Sequence, residues 1–278
     1  MPLLAVTLLL APAVVSRCSD ESPTPAEAIE KARALEKSGL PDEAFLYLSP
    51  LIEPESGDLA RNAEVILEAA RLAPSVPTTQ ELAARAIERT RNSSIIHAAH
   101  MMLGESLYAQ RLYGAAASHF FEAARHSDRR GPGAADLRYA DCLLASGDAV
   151  SAVEAFREAA ESGAVPGPTS SLAQLGLGRS LLAAGRAAEA AEEFERAVRT
   201  LSDESAKARG LAGAAEAYEA AGDDQSARKA LEALVDEHPG SYEAVLARNK
   251  LRAYAAADTT APADTLAPPS VGHGRDSR

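Results

Sequence analysis

The sequence predicts an all-α protein in which antiparallel helix pairs stack into a solenoid. One spacing recurs five times: a glycine or, once, an arginine, then alanine five residues on, a large apolar residue four after that, and alanine or leucine three further. It reads Gly39/Ala44/Leu48/Leu51, Arg111/Ala116/Phe120/Ala123, Gly147/Ala152/Phe156/Ala159, Gly185/Ala190/Phe194/Ala197 and Gly222/Ala227/Leu231/Leu234. From Ala116 onward the alanines repeat after 36, 38 and 37 residues, and Ala44 lies two periods of 36 before Ala116. Such a period, in units too small to bury their own faces, is typical of stacked helices.

Composition supports long amphipathic helices and argues against two other classes of protein. Of the residues, 46% are apolar, and there is no tryptophan. The formal net charge is -12 with dispersed lysines and arginines, which argues against nucleic-acid binding. Cys18 and Cys142 are too few for a disulfide framework, and we expect Cys142 to be a small core residue.

The first 20 residues are a segment of a different kind. Residues 3–15 form an apolar run that is too short to span a bilayer and is typical of a secretory signal. Cleavage after Ala11-Pro12-Ala13 is one outcome. The other is lipidation, because Val15-Ser16-Arg17-Cys18 resembles a bacterial lipoprotein box, with Arg17 in place of the usual small residue. We expect residues 1–20 to be a signal peptide or lipoprotein signal, and the protein to be exported, periplasmic or anchored on the periplasmic side through Cys18.

Capping residues, glycines and prolines predict where the helices that follow begin and end. Thr24, followed by proline and then Glu27, predicts a helix with a capping box. That helix ends near Gly39, and a proline just beyond opens its partner. The second pair is degenerate: a helix over about 58–72 and a second one capped by Thr78, with a glutamate three residues on.

The remaining pairs are more regular. Each joins two helices across a short turn such as Gly185-Arg186. A final helix over about 241–255 has no partner and is expected to cap the open end of the stack. In all, we predict about five recognisable pairs, one degenerate pair and this capping helix over 25–255. Residues 256–278, rich in proline and threonine, are expected to form a disordered tail.

The residues that occupy the same position in successive repeats are called a column. These columns resemble the tetratricopeptide repeat family, whose pattern is W-x2-L-G-x2-Y, then A-x3-F, then P. The matching positions are Leu103-Gly104, Leu177-Gly178, Tyr218, Phe120, Phe156, Phe194 and Pro239, while His100 and Gln174 stand at the Trp position and Asp128 at one Pro position. The resemblance implies a right-handed superhelix whose concave face is lined by the first helix of each pair. Physically, glycine turns the chain, alanine lets helices approach closely, and phenylalanine fills the space between repeats.

Because the column residues are structural, a binding surface must consist of the residues that the columns leave over on the first helices. These are Met101, Glu105, Tyr108, Leu137, Asp141, Leu144, Leu172, Leu175, Arg179, Leu182 and Glu216, with Ile29, Arg33 and Glu219 towards the two ends. Most of the central positions are apolar, which suits an amphipathic helix or an extended peptide with alternating anchors. The alternative is that superhelical winding buries some of them between neighbouring first helices. The lysine and asparagine pairs with which chaperone-linked relatives bind a C-terminal carboxylate are absent, so that role is not expected.

No set of residues points to catalysis, to a metal or to a cofactor. Gly176-Leu177-Gly178 has no third glycine and lies within a helical repeat, so it does not predict a phosphate loop. His97 and His100 share a helical face, and two further histidines lie on the partner helix, but no other ligand can be named. We therefore expect no enzyme activity and no cofactor or metal.

Together, these observations predict a non-catalytic scaffold in the bacterial cell envelope that binds a partner peptide or helix in its concave groove. The expected partner is a protein or peptide. Nucleic acid is not expected, and membrane contact would occur only through an N-terminal lipid anchor. Two alternatives stay open: an accessory solenoid of an envelope enzyme complex for cell-wall or outer-membrane assembly, and a cytosolic scaffold whose N-terminus has been misread.

Overall fold

A computed structural model describes residues 23–53, 58, 62–127, 133–161 and 168–260. The predicted signal at 1–20, with Cys18, and the chain beyond 260 lie outside the described residues. Within them there are thirteen α-helices, one 3-10 helix and no strand, which confirms the all-α prediction. We predicted one solenoid over 25–255. The contacts divide the chain after Thr90 into two compact units, each described by itself.

The first unit contains two helix pairs. They are α1 (Pro25–Lys37) with α2 (Pro41–Leu48), which continues as a 3-10 turn (Ser49–Ile52), and α3 (Ala63–Leu72) with α4 (Val76–Glu88). The predicted cap of α1 is confirmed, because the Thr24 hydroxyl accepts from the Glu27 amide and the Glu27 carboxylate accepts from the Thr24 amide. The expected Thr78 cap of α4 is wrong: Ser75 caps this helix, and its hydroxyl accepts from the Thr78 amide.

The second unit contains four pairs and an unpaired last helix. The pairs are α5 (Ser93–Ala109) with α6 (Tyr113–Arg125), α7 (Ala134–Ala145) with α8 (Ala149–Glu161), α9 (Pro168–Ala183) with α10 (Ala187–Thr200), and α11 (Glu204–Ala221) with α12 (Asp224–Glu237); α13 (Tyr242–Thr260) follows. Each helix packs on the next. In addition α7 contacts α9, α9 contacts α11, and α11 contacts α13. The odd-numbered helices from α7 onward therefore form one continuous layer.

The predicted turns between paired helices share one backbone conformation. The backbone is left-handed at Gly39, Gly147, Gly185 and Gly222, where φ lies between 76° and 89°. At the one break in the glycine column, Arg111 adopts the same conformation with φ 61°. Since a side chain is strained there, the repeat geometry determines the turn even where glycine is missing.

Phenylalanines of the second helices pack against glycines of the first helices. A Cβ at Gly104 would lie 2.7 Å from the Phe120 ring, and one at Gly213 would lie 2.6 Å from the Phe194 ring. A Cβ at Gly176 would likewise clash with the ring of Phe156. The Gly176-Leu177-Gly178 run is thus part of α9, where its glycines admit aromatic rings, as the prediction against a phosphate loop requires.

The last helix covers one end of the layer with a small-residue face. Ala244 and Ala247 are buried against α11 and α12. The helix continues to Thr260, beyond position 256 where we expected the tail to begin. On its other side Tyr242, Val245 and Leu246 are exposed.

Candidate binding groove

An open groove of about 840 Å³ runs across α7, α9 and α11 of the second unit. Eight of the eleven residues predicted for the binding surface line it: Leu137, Asp141, Leu144, Leu172, Leu175, Arg179, Leu182 and Glu216. Six polar or small lining residues were not predicted, namely Arg209, Ala212, Gly213, Glu243, Gly176 and Ala183. The repeat period could have indicated Arg209, because it follows the predicted residue Leu172 by 37 residues, which is one period.

The floor of the groove is apolar, and its leucines differ in accessibility. Leu172 is 43% exposed, whereas Leu137, Leu144 and Leu182 are half-buried against the core. Leu175 is only 8% exposed. It packs towards Gly210 of α11, where a Cβ would lie 3.3 Å from its Cδ2. Leu175 is therefore buried between neighbouring first helices, the alternative left open for such residues, while the others remain accessible in part.

A charged pair crosses the middle of this floor. The Arg179 guanidinium lies 3.7 Å from the Asp141 carboxylate, a contact longer than a hydrogen bond. Burial raises the pKa of Asp141, and the positive charges of Arg179 and Arg138 oppose that shift. The carboxylate of Asp141, which lines the groove, thus keeps acceptor capacity.

The wall formed by α11 has a different character. At its centre are Ala212 and Gly213, which have little or no side chain. Arg209 precedes them and Glu216 follows them along the helix. Both charged side chains are exposed. Glu219, expected to face a ligand one turn further on, instead accepts from Lys250 at 2.6 Å and from Tyr254 at 3.2 Å.

Three predicted residues do not line the groove: Met101, Glu105 and Tyr108 of α5. Met101 and Tyr108 pack beside Phe120 and Cys142. Glu105 forms a 2.9 Å ion pair with Arg138, whose guanidinium also lies 5.6 Å from the centre of the Tyr108 ring. Periodicity gives the helix face on which these side chains lie, but it could not show that an arginine from α7 would contact Glu105 and Tyr108.

The first unit has a smaller groove of about 560 Å³ that includes Ile29 and Arg33. Here the dominant feature is an ionic network around Glu68, whose side chain is only 7% exposed. Burial raises the pKa of Glu68, but hydrogen bonds from Arg71 and Arg33 outweigh it and hold the pKa below its ordinary value. Because Arg33 and Arg71 are engaged with this carboxylate, we regard the network as structural.

The histidines of α5 and α6 form one close pair. The Nδ1 atoms of His100 and His119 are 3.0 Å apart. His97 Nδ1 lies 2.8 Å from the Ala123 carbonyl oxygen, within hydrogen-bond distance. Burial lowers the pKa of both members of the pair, and the charge of His119 lowers that of His100 further. Among the residues that the structure describes, no group of three His, Cys, Asp or Glu side chains is arranged to hold a metal.

Cys142 occupies the core position that the sequence predicted. It is free, fully buried, and packed with Ala116 and Phe120. Burial raises the pKa of its thiol to about 11. Over the described part of the chain, no helix is both long and apolar enough to cross a bilayer.

Stacked helix pairs with left-handed turns, interlocking phenylalanines and an open groove on one layer define a helical-repeat protein. The sequence profile of the tetratricopeptide repeat matches residues 101–168, 143–208 and 175–242, and the combined span of 101–242 is just over half of the chain. The chain belongs to the tetratricopeptide repeat family. No curated protein sequence matches it significantly.

Solved structures with the same fold share little sequence with this chain. PilF of Pseudomonas aeruginosa is 16% identical with a TM-score of 0.56, and covers 83% of this chain and 97% of its own. YrrB, described as a tetratricopeptide repeat protein with an unusual peptide-binding site, is 18% identical with a TM-score of 0.54, over 73% of this chain and 97% of its own. BtubC from P. vanneervenii is 18% identical with a TM-score of 0.53, over 91% and 96%. At these identities the likeness concerns the fold.

Proposed function

We propose that this protein is a non-catalytic scaffold that binds a partner protein or peptide in the groove of its second unit. The observation that carries the proposal is the floor of that groove: leucines that are partly or fully accessible, with the exception of Leu175, surround a central charged pair, on residues that the packing columns do not use. An apolar surface with a few placed polar groups is the usual composition of a specific binding site.

We further propose that the scaffold acts in the bacterial cell envelope. The support is the apolar run at 3–15 followed by Cys18. Cell fractionation, together with the mass of the mature N-terminus, tests this part separately. Recovery of the full chain in the cytosol with Met1 retained would contradict export, and an unmodified residue 18 in the exported protein would contradict the lipid anchor.

Affinity capture with matched variants tests groove binding. The groove variant combines Leu172→Asp with Arg179→Glu, because both side chains are exposed and neither belongs to the core. The control is Val150→Asp on α8, which places a new charge on an exposed apolar residue (72% exposed, against 43% for Leu172) that does not line the groove. We expect wild type and the control to capture the same partner, identified by mass spectrometry, and the groove variant to lose it.

Equal capture by all three proteins would contradict groove binding. Circular dichroism of the three proteins before capture verifies that the groove variant remains folded.

A further inference from the structure

Two neighbouring helices of the groove carry the same pattern in the same register. On α7 the order is Leu137, Asp141, Leu144, and on α9 it is Leu175, Arg179, Leu182. In both helices the steps are four and three residues, so a charged row lies between two leucine rows. In the first row Leu137 is the accessible member, because Leu175 is buried, and in the second row both leucines are partly accessible. Seven residues of helix rise about 10.5 Å, which sets the distance between the two leucine rows.

This distance distinguishes a helical occupant from an extended one. Side chains at i and i+7 of a helix share a face and are also about 10.5 Å apart. On an extended chain, side chains on one face are about 6.7 Å or about 13 Å apart, at i+2 and i+4. A helix that lies along α7 and α9 therefore matches both leucine rows at once, whereas a strand in that direction matches only one.

The charged row specifies the side chain that must lie between the two anchors. Asp141 is held by Arg179 only through the 3.7 Å ion pair, so its carboxylate can accept a hydrogen bond from a ligand. A lysine, arginine or glutamine at i+3 or i+4 of the ligand helix would supply that bond. An apolar residue at the same place would leave a partly buried carboxylate without its water.

The α11 wall completes the fit to a helix. Ala212 and Gly213 present almost no side chain, so a ligand backbone can approach closely there. Arg209 and Glu216 are also seven residues apart, and among the residues that the structure describes neither has a side-chain ion pair. They favour an acidic group and a basic group, respectively, on the outer edge of the ligand.

We propose that the occupant of the groove is an amphipathic helix of a partner protein, lying along α7 and α9. Its defining features are two apolar anchors seven residues apart and a hydrogen-bond donor between them. This inference rests on the proposed function, since it names the kind of partner that the same groove takes.

Selection from two phage-displayed peptide libraries tests it. In the first, 18-residue helix-forming peptides are randomised on one face. In the second, 12-residue peptides carry prolines that prevent helix formation. We expect the first library to yield binders whose apolar residues are seven apart with a donor between them, and whose helicity rises on binding. Inserting one alanine between the anchors rotates one of them off the face, and should weaken binding at least tenfold.

The outcomes separate this inference from the proposal on which it rests. Binders from the proline library that lose affinity for the Leu172→Asp/Arg179→Glu variant would overturn the helical occupant and leave groove binding intact. Helical binders that tolerate the alanine insertion would also overturn it. Binders from either library that bind this variant as well as wild type, or the absence of any binder, would contradict groove binding itself.

Discussion

Replacing Gly104 by alanine should destabilise the second unit, although alanine is the better helix former. A Cβ at this position would lie 2.7, 2.8 and 2.9 Å from three carbons of the Phe120 ring. That ring is 0% exposed, so it cannot relieve the clash by turning towards solvent without leaving the core. Overpacking of this kind costs about 1–3 kcal/mol, and replacing glycine within a helix recovers about 1 kcal/mol. The net loss should be about 1 kcal/mol, or about 2–4 °C in the thermal midpoint.

The assay is thermal unfolding followed by circular dichroism, with Gly114→Ala as the matched control. Gly114 lies in α6, and a Cβ there would have no neighbour within 4 Å. The control should therefore be neutral or slightly stabilising, so that two chemically identical substitutions differ in sign. A midpoint for Gly104→Ala at or above that of Gly114→Ala would refute the close contact between Gly104 and Phe120.

A double variant tests the cause of the loss. If the clash with the ring is responsible, Phe120→Leu should reduce the penalty of Gly104→Ala, with a coupling free energy of about 0.5–3 kcal/mol. Additive effects of the two substitutions would show that Gly104 is needed for some other reason.

Three further predictions follow from strain, titration and burial. Arg111→Gly should raise the free energy of unfolding by about 0.5–1 kcal/mol, because the left-handed backbone strains a side chain, while Arg111→Ala should leave it nearly unchanged; equal midpoints for both would contradict this. His100 and His119 have pKa values below the ordinary 6.5, so the unfolded state binds more protons and stability should fall as the pH drops below about 6.5; unfolding midpoints from pH 7.5 to 5 should show a flatter profile in His119→Gln. In a Cys18→Ser background, Cys142 should resist iodoacetamide at pH 8 until denaturant is added, since its thiol is buried and its pKa is about 11; rapid labelling of the native protein would contradict its burial.

The turns and aromatic contacts were predictable because the repeat period specifies them. Arg111 is instructive: its residue type argues against a left-handed turn, yet it occupies the glycine position of the repeat and adopts the same left-handed conformation. The same register identified Phe120, Phe156 and Phe194 as packing residues before any contact was known.

The start of α4 was not predictable from capping residues alone. Ser75 and Thr78 are both suitable caps, and the sequence does not say which one the helix uses. Proline is acceptable in the first turn because its missing amide would have no helical partner. Pro77 therefore allows the helix to begin at Val76, so that the earlier cap is used.

The groove was predicted in part because its residues depend on two different kinds of information. Leu137, Leu144 and Leu182 follow from helical periodicity, which gives the face of each helix. Glu105 and Tyr108 lie outside the groove and contact Arg138, a long side chain on another helix. Periodicity gives no information on such contacts.

Photo-crosslinking tests the central claim, that the groove of the second unit is the binding surface, most directly. A photoreactive amino acid replaces Leu172 in one protein and Val150 in another, and both are irradiated in cells that express them. We predict crosslinks from position 172 to a single segment of one partner, which mass spectrometry identifies, and none from position 150 to that segment. Crosslinks to the same segment from both positions, or from position 150 alone, would contradict the claim.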